Sequence, residues 1–231
     1  MFNSKYSKLL TTLLVIAIVA ILGILIFVGI NWYKAYMTES DVGAGVDQFD
    51  GYINNTIAKN PNNNEENNVV DLVNPDIDVN NTVTNTNNGG NGGTTSSKPK
   101  YKGFNMVGKI EIPKIKLSCP VLETATDSAI EVAVAVLSGP GVNQVGNTLI
   151  IGHNYRNGTF FSNNKKLEKG DKIYLTDLSG KKITYKITTK YQTSTSDADY
   201  MLRDTKGKRE ITLSTCTDDS KQRLILWAEE T

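Results

Sequence analysis

The chain has 231 residues, enough for one ordinary domain plus additional segments. Lys and Arg number 25 against 24 Asp and Glu, a formal charge of +1, so the basic excess of a nucleic-acid-binding protein is lacking and no nucleic-acid partner is expected. Two cysteines without a CxxC pair and a single histidine are too few for a Cys/His zinc site, and neither metal nor cofactor is expected.

Leu9 to Ile30 is an uninterrupted run without charge, rich in Leu, Ile, Val and Ala. About 20 such residues in a helix span the hydrocarbon core of a bilayer. Lys5 and Lys8 precede the run, while Lys34, Glu39 and Asp41 follow it. The positive-inside rule places residues 1–8 in the cytoplasm and everything after Trp32 outside the cell. A cleaved signal peptide is the competing reading. Against it, the run exceeds the usual apolar stretch of about 7–15 residues, and bulky Asn31-Trp32-Tyr33-Lys34 offers no small-x-small cleavage site. Residues 9–30 are therefore read as a single-pass anchor in the cell membrane. From about Asp41 to Lys100 Asn dominates, with Gly89-Gly90-Asn91-Gly92-Gly93 and Thr94-Thr95-Ser96-Ser97 towards the end. Few large apolar side chains are available to offset the entropy of ordering. Val46 to Ile57 is mixed enough for a short helix, but the whole of 31–100 is read as a flexible, disordered Asn/Gly-rich stalk.

Residues 101–231 have the composition of a folded domain. Met106 to Ile112 is predicted as a strand ending at Pro113, and Cys119 to Leu122 as a second. Asp127 is the expected N-cap of a short helix that Ser138-Gly139-Pro140-Gly141 interrupts. Asn147–Ile151, Lys172–Thr176, Lys182–Thr188, Glu210–Cys216 and Arg223–Ala228 are predicted strands, with a tight turn at Leu178-Ser179-Gly180. Many short strands with Gly/Pro turns and little helix define an all-β domain, a closed barrel or a sandwich.

The chemistry gathers at the last hairpin. In EITLSTC, Ile211 and Leu213 share the core face, and Thr212, Ser214 and Cys216 share the other. The loop from Thr217 to Gln222 returns the chain so that Arg223 lies beside Cys216, since directly opposed residues have Cβ atoms about 4.5–5.5 Å apart. A guanidinium there can stabilise negative charge on sulfur or on a developing oxyanion. A thiol nucleophile needs a proton partner, and His153, the sole histidine, follows the NTLII strand and Gly152. Taken singly, each residue also has an ordinary structural reading: a surface His, a buried Cys, a solvated Arg. Cys119 could pair with Cys216 in a disulfide or sit as an inert thiol in its apolar CPVL setting. Arg203, in the loop before the Cys216 strand, is read as a solvated charge.

NTLIIGHN around His153, TLSTC at Cys216 and an Arg opening the final strand resemble, in that order and spacing, the sortase family. KIEIPKIKLSCPVLE resembles the first strands of the same fold. The resemblance covers 101–231 and implies an eight-stranded β-barrel with short helices. It further implies a cysteine transpeptidase that cuts an LPxTG-like sorting signal near the C-terminus of secreted proteins. Such an enzyme forms a thioacyl intermediate and transfers the acyl group to an amine of a cell-wall peptidoglycan precursor or a pilin. On this resemblance Cys216 attacks, His153 protonates the leaving amine, Arg223 holds the carbonyl oxygen and Thr215 positions the substrate. The Ser of TLSTC, Thr217 and the NGTFF stretch are class B-like. Tyr191 to Lys208 is short for the helix that class B adds there, which makes class D the competitor, and the absence of a second membrane segment after Trp227 argues against class C. Some members use calcium, but Glu123, Asp127, Asp197, Asp199 and Asp204 are scattered and define no site. A different cysteine hydrolase and a non-enzymatic surface module remain as alternatives. A papain-like order would place Cys before His, whereas here His153 comes first.

Overall fold

The computed structural model describes residues 4–59 and 98–231. A single helix, α1 (Ser4–Lys59), runs for 56 residues. Its Leu9–Ile30 segment, with mean hydropathy 3.4 and no buried side chains, is long and apolar enough to cross a membrane and fits a single-pass anchor. The helix does not stop there. Residues 31–59, expected as the near half of a flexible stalk, are helical, and residues 41–58 lie against the folded domain. The physical reason is an apolar stripe. Val42, Val46, Phe49, Ile53 and Ile57 recur at intervals of three and four, the period of one helix face. Val42, Phe49 and Ile53 are buried, Phe49 completely. A Cβ on Gly45 would stand 2.7 Å from the ring of Tyr101, so only glycine permits the close approach. Lys109 Nζ binds Asp50 at 2.6 Å and Lys102 Nζ binds Asp41 at 2.8 Å. At 1.5 Å per residue, Val42 stands about 18 Å beyond Ile30 along the axis. The remainder of the expected stalk, 60–97, lies outside the described residues.

The domain consists of nine strands: β1 (Lys100–Tyr101), β2 (Phe104–Ile112), β3 (Leu117–Leu122), β4 (Val134–Ser138), β5 (Gly146–Ile151), β6 (Lys172–Asp177), β7 (Lys182–Ser194), β8 (Arg209–Cys216) and β9 (Gln222–Glu230). Their order is β1-β2-β3-β4-β5-β8-β9-β7-β6, and β6 also pairs with β2. That last pairing closes eight strands into a barrel, with β1 as a short addition to β2, as the resemblance implied. Closure removes the exposed sheet edges that an open all-β sheet would present. Two of the pairings are parallel, β3 with β4 and β5 with β8. The barrel is filled by Met106, Ile110, Ile112, Val121, Ile150, Ile173, Leu175, Ile211, Leu213 and Leu226, all fully buried.

Two local expectations are corrected. The short helix α2 (Asp127–Ile130) is capped by Thr126, whose Oγ1 accepts from the Ala129 amide at 3.1 Å, so Asp127 is its first residue instead of its cap. The helix ends long before Gly139, and Val134–Ser138 is the missed strand β4. The strand VAVLS follows the helix without turn residues to announce it, which hid the boundary.

Candidate active site

The site lies on the outer surface of the barrel and follows from strand register. On β8 the outward residues are Thr212, Ser214 and Cys216, because side chains alternate along a strand. Antiparallel pairing sets Trp227 beside Thr212, Ile225 beside Ser214 and Arg223 beside Cys216. Parallel pairing sets Leu149 beside Thr212 and Ile151 beside Ser214. Two residues on, past the end of β5, the same register brings His153 towards Cys216. On the far side β7 sets Thr193 against Arg223 and Tyr191 against Ile225. His153, just past the end of β5, thus continues the row that Cys216 and Arg223 form across β8 and β9, above a floor of Ile151, Ser214 and Ile225.

Cys216 and His153 are both half-buried. The guanidinium of Arg223 donates from Nη1 to Cys216 Sγ at 3.1 Å. The imidazole of His153 lies against the Tyr155 ring, with centroids 4.9 Å apart. Burial holds the His153 pKa below its ordinary 6.5; Glu131 opposes the shift and the Arg223 guanidinium reinforces it. A neutral imidazole is therefore the main form near neutral pH. Gly152 supports the ring's position. A Cβ there would come within 2.8 Å of Val134 Cγ1 and 3.0 Å of Phe161 Cδ2. Neither Gly152 nor Tyr155 is a site candidate by sequence reasoning, although the Gly-His pair itself carries the signal.

Thr215 is brought to a different place. It alternates with Cys216, faces the barrel interior opposite Leu224 and is buried, and its Oγ1 has no hydrogen-bond partner among the described residues. Cys119 is also fully buried on the inner face of β3. It is a free thiol, and burial pushes its pKa up to about 12. Of the two readings open for it, the structure takes the inert one, and Cys216 is likewise free.

The outer face next to the row, which the alternation in EITLSTC set opposite the core, is covered. The β7–β8 connection folds over it, with Tyr200 buried against Leu149 and Ile225, and with Met201 and Trp227 packed alongside. Arg203, expected as a solvated charge, fastens this cover. Its guanidinium stacks over the Trp227 ring at 4.0 Å and pairs with the buried Glu210 at 2.5 Å. Only the end of the strand at Cys216 emerges. Among the described residues no group of three or more His, Cys, Asp and Glu gathers to hold a metal ion.

A closed eight-stranded barrel carrying Cys, His and Arg in one row defines a narrow class of protein. A sortase-domain family model matches residues 110–231, more than half of the chain, and the chain belongs to the sortase family. A sortase A of Bacillus anthracis is 36% identical over 124 residues, covering 52% of this chain and 58% of that protein. A sortase A of Streptococcus agalactiae is 27% identical over 141 residues, covering 58% of this chain and 56% of that protein. The chain thus spans little more than half the length of these relatives. Among solved structures, a sortase D5 transpeptidase of Clostridium perfringens superposes with a TM-score of 0.51 at 29% identity, over 55% of this chain and 79% of that one. Sortase A from Corynebacterium diphtheriae gives 0.51 at 25% identity, over 55% and 61%.

Proposed function

We propose that the chain is a membrane-anchored cysteine transpeptidase acting outside the cell. It cleaves an LPxTG-like sorting signal of secreted proteins and transfers the acyl product to an amine of a cell-wall peptidoglycan precursor or a pilin. The observation that carries this reading is the His153–Cys216–Arg223 row with its 3.1 Å guanidinium–sulfur contact.

In this mechanism Cys216 Sγ attacks the scissile carbonyl carbon while His153, neutral at rest, takes the thiol proton. The carbonyl oxygen becomes an oxyanion beside the Arg223 guanidinium. The C–N bond breaks, His153 returns the proton to the leaving nitrogen, and a thioester remains on Cys216. The acceptor amine then attacks that thioester. His153 takes a proton from the attacking nitrogen, the C–S bond breaks, and His153 passes that proton to the departing sulfur, which restores the thiol and the neutral imidazole. Thr215, which faces the barrel interior opposite Leu224, positions the substrate indirectly, through the backbone it shares with Cys216. Lys5 and Lys8 before the apolar run support an N-inside orientation, which places the barrel where secreted substrates pass. The β7–β8 connection holds only a one-turn segment at Asp199–Met201, which favours class D over class B. The likeness to the Clostridium perfringens protein points the same way.

The test is to incubate the full chain, in nanodiscs, with sorting-signal peptides with and without hydroxylamine or a glycine peptide. An amine adduct that Cys216→Ala abolishes is the expected result. Release of free acid alone, at a rate indifferent to the amine, would support a hydrolase instead.

A further inference from the structure

We propose that Asn154 is a positioning residue for acyl transfer, tying the Cys216 backbone to the loop that carries His153. The inference rests on the reading of Cys216 as nucleophile. Strands β5 and β8 are parallel and in step up to Ile151 and Ser214. The last backbone bond between them runs from Gly152 N to Ser214 O at 3.3 Å. Had the ladder continued, the next bond donated from the β5 side would join the Asn154 amide N–H to Cys216 O, two residues on in both strands. The chains diverge there, and the side chain of the same residue substitutes for the backbone. Asn154 Nδ2 donates to Cys216 O at 3.0 Å.

The rest of the carboxamide is also committed. Nδ2 donates its second hydrogen to Asp218 Oδ1 at 2.9 Å, and Oδ1 accepts from the Arg156 amide at 3.1 Å. A carboxamide has two N–H donors and one carbonyl acceptor. The partners leave no ambiguity of orientation, since a carbonyl and a carboxylate oxygen can only accept and a backbone N–H can only donate. Asp218 is held in turn by Lys165 at 2.6 Å, and Arg156 Nη2 donates to Ser220 Oγ at 3.0 Å. His153 is thereby bracketed: Gly152 before it and Asn154 after it are both bonded to β8, at Ser214 and Cys216. The imidazole and the sulfur are carried where backbone pairing between β5 and β8 has ceased, although Cys216 is still paired with Arg223 on β9. The Asn154 bond to Cys216 O is what spans that gap, so it sets the relative placement of the two reacting groups.

The experiment compares the full chain in nanodiscs with Asn154→Ala and Asn154→Asp in peptide transfer to a glycine acceptor. A misplacement of reacting groups by about 1 Å can cost on the order of 10²-fold. Asn154→Ala is therefore expected to lower kcat by about 10- to 100-fold, with KM within about threefold and the melting temperature nearly unchanged. Asn154→Asp is expected to be at least as slow, because a carboxylate has no hydrogen to offer Cys216 O. Pairing Asn154→Asp with Asp218→Asn restores a bond between the two side chains but not the bond to the carbonyl, so kcat should stay low. Recovery of that pair to wild-type rate, a loss that tracks thermal unfolding, or an Asn154→Ala rate within twofold of wild type would each overturn the inference. Cys216→Ala separates the two readings: if it leaves transfer intact the nucleophile assignment falls, and if it abolishes transfer while Asn154→Ala does not, only the role of Asn154 falls.

Discussion

Replacing Arg223 by Ala removes the one side chain, among the described residues, in hydrogen-bond contact with the sulfur of Cys216, at 3.1 Å. The oxyanion formed on attack is two bonds from that sulfur, so a small swing of the guanidinium carries the donor onto it. An ordinary hydrogen bond to a charged group is worth about 1.5–3 kcal/mol net. A donor preorganised toward developing charge is worth more, about 2.7–4 kcal/mol or on the order of 10²–10³ in rate. Arg223 belongs to the second kind, because the β8–β9 register already fixes its backbone opposite Cys216. Among the described residues it makes no ion pair with a carboxylate, so its removal strands no buried anion. Arg223→Ala is expected to slow formation of the thioacyl enzyme by about 10²–10³-fold while the melting temperature stays close to wild type. Arg223→Lys should recover little, since an ammonium on a flexible stem does not reproduce the planar fork. The assay is a single-turnover reaction with a sorting-signal peptide, quenched in time and read by intact mass for the acyl adduct. If Arg223→Ala forms the adduct within about threefold of the wild-type rate, the oxyanion donor is not this guanidinium and must be sought among the amides around Cys216.

Iodoacetamide at neutral pH should label Cys216 in the folded chain and spare Cys119, which is fully buried with its pKa pushed up to about 12; in urea, mass spectrometry should find both labelled. Arg203→Ala leaves Glu210 buried without its partner, a loss of about 3–5 kcal/mol by denaturant unfolding, and a further Glu210→Gln should recover part of it. If Arg203→Ala unfolds at the wild-type midpoint, the cover over β8 is not held by this pair. Phe49→Ala removes the fully buried anchor of α1, at an expected cost of up to about 3–5 kcal/mol. Hydrogen exchange should then rise across 41–58 and stay slow in the barrel strands, whereas unchanged exchange in 41–58 would mean that the helix does not depend on this contact.

The elements that local physics controls are legible in the sequence by itself. The apolar run Leu9–Ile30, the alternation in EITLSTC and the return of Arg223 to Cys216 each depend on residues close in the chain. Period and loop length are sufficient for them. The stripe Val42–Val46–Phe49–Ile53–Ile57 is equally visible, but the Asn-rich composition around it masks its period, and a stripe does not say what it packs against. Tertiary structure alone decides the rest. His153 stands level with Cys216 because β5 and β8 pair in parallel across some sixty intervening residues, and no local pattern encodes which strands become neighbours. Arg203 is half-buried because the β7–β8 connection folds back over Trp227 and Glu210, so its charge meets a ring and a carboxylate where the sequence alone suggested water. Asn154 carries no motif of its own; its amide gains a purpose where two strands part and one carbonyl is left for a side chain to reach. In each case the deciding quantity is a contact made by how strands and connections pack together, which no local pattern in the sequence encodes.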